Sequence, residues 1–294
     1  MNFTKPPCSA THHMGYYEFT ITIADESREA LIHGLSEAGC LGMMDTDTKL
    51  IAYFSDVPGI DTILGSLYRF RAVLEKAGLS HDIRYEYVYL SERDWNESWK
   101  KKFEPIEVGV DLVVLPPWDK TETGRTTLII DPGMAFGTGH HETTKTCLAL
   151  IERLVPSVTS KERFLDVGTG TGILAIAASK LGFRDLAGVD IDPLAVDAAR
   201  RNCVENGLDN ITITEGGIST ADGDFDMITA NILSEVLLRI APEIAARLRR
   251  PGLALLSGML EGQEDDVIAA MEKEGLAFRE KVRDGRWVSV IVFR

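Results

Sequence analysis

The sequence predicts an α/β protein: a doubly wound sheet that ends in an antiparallel strand, preceded by a smaller α+β layer. Three observations carry this. From Phe164 onward, apolar strands and amphipathic helices alternate, which is the signature of βαβ units on a parallel sheet. A glycine-rich turn, Asp166-Val167-Gly168-Thr169-Gly170-Thr171-Gly172, joins the first of these strands to the helix after it. The chain before Glu92 instead reads β-α-β-β-α-β, the order of the ferredoxin-like split motif.

In that first region Tyr16–Ile23 alternates like a strand. Ser27–Ala38 carries apolar residues at helical spacing and stops at Gly39. Cys40–Met44 and Leu50–Phe54 flank the polar turn Asp45-Thr46-Asp47-Thr48 and read as paired strands. Ile60–Ala77 repeats the helical pattern up to Gly78, and Ile83–Leu90 alternates again. The expected domains are residues 1–92, with 1–14 as a mobile leader, a connector over 93–120, and a second domain over 121–294. The connector contains Trp95 and Trp99, four residues apart and so on one face of a short helix. Leu112–Leu115 and Thr127–Ile130 are strands by composition, and Thr144–Leu154 is a helix.

The second domain follows as strands at Phe164–Val167, Leu186–Val189, Ile211–Thr214, Phe225–Ala230 and Leu253–Leu256, with helices at Ile173–Leu181, Pro193–Glu205, Leu233–Leu248 and Glu264–Lys273. Gly182 and Gly207 mark helix ends, and Pro193 suits a first helical turn. The last two runs, Phe278–Val282 and Trp287–Phe293, flank Arg283-Asp284-Gly285-Arg286, a hairpin signal.

The 294 residues carry a formal net charge of −14. Such a surface has no general attraction for nucleic-acid phosphates and favours a basic partner. No apolar run reaches membrane-spanning length. The four cysteines, Cys8, Cys40, Cys147 and Cys203, are scattered without CxxC spacing, so reduced thiols in a cytoplasmic protein are expected, with no disulfide and no metal.

The glycine turn is the candidate ligand site. Its glycines admit a close backbone approach, and a helix start offers N–H groups. Asp190, at the end of the next strand, is placed for ribose hydroxyls, with Asp192 before Pro193 as the helix cap. The turn does not match the dinucleotide pattern: counted from Gly168, the third glycine position is Ile173. No Gly-Lys-Ser/Thr follows, so it is not a P-loop. It has no lysine or arginine, and the Asp166 carboxylate repels a pyrophosphate. A ligand with a cationic amino-acid end and a ribose fits better, and S-adenosylmethionine has those parts. Asp131–Thr144 is glycine-rich, with Phe136 as an apolar cover and adjacent His140 and His141 poorly spaced for a metal. Asn231, directly after a strand, is expected to face the ligand.

These motifs resemble the ribosomal protein L11 methyltransferases, within the class I S-adenosylmethionine-dependent, Rossmann-like superfamily. The likeness covers the Trp95–Pro105 connector, Leu115–Trp118, Asp131–Thr144, Phe164–Gly172, Gly188–Pro193, Ala230–Leu233 and the Trp287 strand. The Asp131–Thr144 string is the most specific of them; residues before 93 match in outline only. The resemblance implies cofactor contacts at Thr144, Gly168, Asp190 and Asn231, joined by Asp166, Gly170, Gly172 and Phe136 from the reading of the turn and its cover. It implies a basic substrate, ribosomal protein L11, methylated on lysine ε-amines and its α-amine; from the acidic charge no direct nucleic-acid binding is expected, and a monomer is expected. Residues 1–92 would recognise the substrate.

A lysine of pKa about 10.4 costs roughly 4–5 kcal/mol to deprotonate at neutral pH, and desolvation lowers that cost. The side-chain oxygen of Asn231 and the backbone carbonyl of Ile232 are the candidates that aim the neutral amine. Three alternatives stay open. One is a class I methyltransferase for RNA or a small molecule, although Asn231-Ile232-Leu233 lacks the prolines and aromatic of nucleic-acid N-methylation sites. A second is a non-catalytic S-adenosylmethionine-binding assembly factor. The third is an NAD oxidoreductase, disfavoured by Ile173.

Overall fold

A computed structural model describes residues 15–45, 49–91, 104–131, 139 and 141–294. The chain divides into two compact units, residues 1–102 and 103–294. The leader, the Trp95–Trp99 segment, Phe136 and His140 lie outside the described residues.

The first unit runs β1 (Gly15–Thr22), α1 (Asp25–Glu37), β2 (Gly42–Asp45), β3 (Leu50–Ser55), α2 (Ile60–Lys76) and β4 (Arg84–Ser91). Its sheet has the order β2-β3-β1-β4, and every neighbouring pair is antiparallel. The alternation in β1 sends Phe19 and Ile21 to one face, where Leu31 and Leu35 of α1 and Ile63, Leu67 and Leu74 of α2 cover them. One hydrophobic layer thus joins both helices to the sheet.

The second unit opens with a small sheet that the sequence reading did not anticipate. In it, β5 (Ile106–Val108) pairs antiparallel with β6 (Leu112–Leu115), and β6 pairs parallel with β7 (Thr126–Ile129). Three residues in β5 are too few to show a period, so its pairing was invisible. There follow α3 (Glu142–Leu154), β8 (Arg163–Val167), α4 (Ile173–Lys180), β9 (Asp185–Asp190), α5 (Pro193–Glu205) and β10 (Ile211–Glu215). The chain then runs through β11 (Phe225–Asn231), α6 (Ser234–Arg247), β12 (Leu248–Leu260), α7 (Glu264–Lys273), β13 (Ala277–Asp284) and β14 (Trp287–Phe293). The large sheet has the order β10-β9-β8-β11-β12-β14-β13. Its five strands from β10 to β12 are parallel, and β14 is antiparallel to both β12 and β13. Asp284-Gly285 turns the closing hairpin, with Gly285 at φ 57°.

Both faces of this sheet are buried. Phe164 and Met227 pack with α3, α4 and α5 on one side; Leu165, Val167 and Ile228 pack with α6 and α7 on the other. Strand order reverses at β8, so the crevice at the carboxyl ends of β8 and β11 is the topological switch point, where ligands bind in open α/β sheets. No described helix is long and apolar enough to cross a membrane.

β12 begins five residues before the expected Leu253. Leu-Arg-Arg-Pro-Gly reads as a turn because proline cannot donate to a ladder. The strand accommodates it as a bulge: its register against β11 jumps from Phe225↔Leu248 to Met227↔Leu253. At this end of the sheet Asp226 is 2% exposed. Its Oδ2 accepts from the Arg163 N–H (2.8 Å), the Glu162 N–H (3.1 Å) and Ser160 Oγ (3.3 Å), and Arg249 closes on both oxygens at 3.1 Å. Removing the carboxylate strands all of these donors. Asp226→Ala is expected to destabilise this unit by about 3 kcal/mol, read as a fall in its urea midpoint.

Candidate functional site

Gly168 follows β8 at φ +69°, and a Cβ there would lie 2.3 Å from Ile232 Cγ2. On the other side, Gly258 sits at φ +88°, where a Cβ would lie 2.5 Å from the Ile232 carbonyl oxygen. The β12–β14 register shifts between Leu256 and Met259, around this glycine. Asn231 ends β11 opposite Ser257, and the Ile232 N–H donates to the Ser257 carbonyl at 3.1 Å. The exit of β11 therefore passes between two positions that tolerate no side chain.

The turn after β8 is held from within. The Gly168 and Thr169 N–H groups donate to the Val189 carbonyl (2.8 and 3.0 Å), and Gly172 N–H donates to Thr169 O (2.8 Å). Gly170 N–H donates to Asp190 Oδ2 at 2.8 Å. Four N–H groups of the turn, those of Gly168, Thr169, Gly170 and Gly172, are thus spent within the protein, and the turn contributes shape and close approach.

Asp190 Oδ1 accepts from the Asp192 N–H at 3.0 Å, so each carboxylate oxygen keeps further lone-pair capacity toward the cavity. Asp192 Oδ1 accepts from the Leu194 N–H at 2.9 Å and caps α5, as its position before Pro193 implied. α6 starts at Ser234 rather than Leu233, with Leu233 as an extended N-cap and no side-chain cap bond. Neither Asn231 nor Ser234 is spent on capping.

A cavity of about 550 Å³ occupies the switch point and brings together Gly168, Gly170, Asp190, Asn231 and Ile232. Asp166, Gly172 and Thr144 do not line it, although the sequence reading placed them at the ligand. Gly172 packs against α5, where an added Cβ would meet Ala199 Cβ at 3.2 Å. Thr144, in the first turn of α3, is 1% exposed, and its Oγ1 has no hydrogen-bond partner among the described residues. Asp166 lies beneath the turn, 1% exposed. Its Oδ2 accepts from Thr169 Oγ1 and its Oδ1 from Thr229 Oγ1, both at 2.7 Å. The carboxylate thus fastens the turn to β11 instead of meeting a ligand.

Other lining residues were missed. Ile191 is 80% exposed beside Asp190, an apolar side chain with nothing over it. Gly216, Gly217 and Ile218 follow β10 and face it across the cavity. Their signal was position: each lies just past the carboxyl end of a strand next to the switch point. Gly258 had a signal too, a lone glycine inside a strand pattern, which marks a bulge or close approach. His141 also lines the cavity; its Nδ1 accepts from the Thr143 N–H at 3.3 Å and caps α3, and its ring meets Trp287 edge-on at 5.0 Å. Arg239 of α6 is a cationic side chain on the lining. Among the described residues, no group of three or more His, Cys, Asp or Glu could hold a metal.

The volume lies within the range of about 300–1,000 Å³ usual for small-ligand pockets. Apolar walls at Ile191 and Ile218 suit a flat base, and the Asp190 oxygens suit vicinal hydroxyls. Asn231 and the Ile232 backbone supply neutral acceptors at the β11 end. These residues fit an adenosyl ligand without phosphate, so S-adenosylmethionine passes this chemical test.

A family model described as Ribosomal protein L11 methyltransferase (PrmA) matches residues 15–294. The protein named ribosomal protein L11 methyltransferase from Pelobacter propionicus is 40% identical over 250 residues, covering 83% of this chain and 81% of its own length. The one of the same name from Heliobacterium modesticaldum is 32% identical, covering 96% of this chain and 98% of its own. A crystal structure of the ribosomal protein L11 methylase from Lactobacillus delbrueckii subsp. bulgaricus is 32% identical. It covers 65% of this chain and 98% of its own, with a TM-score of 0.60.

Burial raises the Asp166 carboxyl to about 6, against the pull of Thr169 and Thr229 and with the help of the Asp190 charge. The folded state therefore holds this proton more tightly than the unfolded chain does, and stability falls as pH rises through the window from the ordinary value of 3.8 to about 6. A shift of roughly two units corresponds to about 3 kcal/mol. In urea titrations of the ligand-free protein, Asp166→Asn is expected to lack a decline of this size between about pH 4 and 6 that wild type shows.

Proposed function

Because this chain belongs to the ribosomal protein L11 methyltransferase family, we propose that it transfers methyl groups from S-adenosylmethionine to amine nitrogens of ribosomal protein L11, namely lysine ε-amines and the α-amine. As a member of that family it is an S-adenosylmethionine-dependent methyltransferase. The observation that most supports the reading is the convergence of Gly168, Gly170, Asp190 and Asn231 on one cavity at the switch point of the large sheet.

The bound cofactor supplies an electrophilic sulfonium methyl. Asp190 accepts from the ribose hydroxyls, and Gly168 and Gly170 let the ligand lie against the backbone. Asp166 acts from below by fixing the turn. An ammonium entering this apolar cleft loses water and moves toward its neutral form. The Asn231 side-chain oxygen and the Ile232 carbonyl then accept from the amine N–H groups and aim the lone pair. Neutral acceptors suit the task, since a carboxylate there would hold the amine in its charged, unreactive state.

The first unit is read as a ferredoxin-like recognition module. Its sheet order and the two helices on one face support this. The acidic balance of the chain supports a basic substrate over nucleic acid. The enzyme is proposed to be cytoplasmic and monomeric.

Incubation with tritiated S-adenosylmethionine and purified ribosomal protein L11 is expected to label amines of the protein, located by mass spectrometry. Label on RNA alone, or binding without labelled product, overturns the reading. Asn231→Ala is expected to lower turnover about a hundredfold while S-adenosylhomocysteine affinity persists. Asp190→Ala is expected to weaken cofactor binding by about 1–3 kcal/mol in calorimetry; unchanged affinity removes the ribose assignment.

A further inference from the structure

Asn202 and Asn206 stand four residues apart on one face of α5, and neither lines the cavity. Asn202 is 1% exposed. Its Nδ2 donates to the Thr171 carbonyl at 2.9 Å, and its Oδ1 accepts from the Asp131 N–H at 3.0 Å. Asn206 bonds to both backbone groups of Ile129: Oδ1 accepts from the N–H at 3.0 Å and Nδ2 donates to the carbonyl at 2.6 Å. Both amide orientations are fixed by partners of one role each, a backbone donor on one side and a backbone acceptor on the other.

The two asparagines do different work. Asn206 touches only β7 and its own helix. Asn202 joins two elements: Thr171 belongs to the glycine turn, whose Gly168 and Gly170 line the cavity, and Asp131 follows β7. No carboxylate, aliphatic or hydroxyl side chain of this length offers a donor and an acceptor in this fork.

We infer that Asn202 is a positioning residue for methyl transfer, holding the glycine turn at Thr171 in one fixed relation to the end of β7 at Asp131. The inference rests on the assignment of the cavity to S-adenosylmethionine. Asn206 fastens the same helix to the small sheet without reaching the turn, and so serves as the internal control.

The test uses the full chain and compares S-adenosylhomocysteine affinity by calorimetry, melting temperature, and the split between KM for S-adenosylmethionine and kcat. Asn202→Leu is expected to weaken binding roughly tenfold or more and to raise KM in step. Asn206→Leu is expected to lower the melting temperature with affinity within about twofold of wild type. Asn202→Asp keeps the acceptor for Asp131 but, when ionised, loses the donor to Thr171. Its affinity relative to wild type is expected to be low at about pH 8 and to recover toward about pH 5, as the carboxyl regains a donating O–H. That pH profile distinguishes positioning from bulk stability and remains readable if Asn202→Leu fails to fold. The inference is overturned if Asn202→Asp binds like wild type at the higher pH, or if Asn206→Leu loses affinity as Asn202→Leu does. Wild-type protein that binds no S-adenosylhomocysteine sinks the cofactor assignment instead.

Discussion

Gly168 and Gly258 close on Ile232 from two sides, one against its side chain and the other against its carbonyl, and the geometry of the site follows from that gap. β11 leaves the sheet through it, so Asn231 arrives at the cavity with its side chain uncommitted to helix capping. A methyl group at either glycine would meet Ile232 at 2.3 or 2.5 Å. The left-handed φ of both positions adds strain for any other residue. Steric exclusion here, more than any single hydrogen bond, decides where β11 leaves the sheet.

The buried polar layer beneath the turn has the complementary task. Asp166 is linked to Thr169 on the turn and to Thr229 on β11, so one carboxylate spans the two strands that bound the crevice. Ser257 and Ser289 share a hydrogen bond at 2.8 Å across the next two strands. Such groups are costly unless paired, and here they are paired across strands, which ties the strand ends into one register. The raised Asp166 carboxyl is the residual cost of this arrangement.

Much of this was legible in the chain. Alternation of βαβ units, the Asp-Gly hairpin and the Pro193 helix start are local signals, and the elements they mark, β12 excepted, form within a residue or two of their expected bounds. Asp190 and Asn231 were readable because a strand end has a known address in a doubly wound sheet. Asp166 was misplaced for a physical reason: sequence order puts it beside the ligand loop, but side chains alternate along a strand, and this one points into a pocket of threonine hydroxyls. β5 and the small sheet were unreadable because three residues carry no period. Gly258 required knowing which strand lies alongside β11. Pairwise proximity of this sort is a property of topology, not of spacing.

The small sheet ends at β7, an outer strand whose main-chain groups would otherwise solicit another extended chain. Asn206 behaves there as a one-residue surrogate strand: its amide satisfies the donor and the acceptor of Ile129 together. The molecule thereby blunts a sticky rim with a single helical side chain instead of an extra β-segment. Aggregation on overexpression, rather than loss of catalysis, is the liability that this amide guards against.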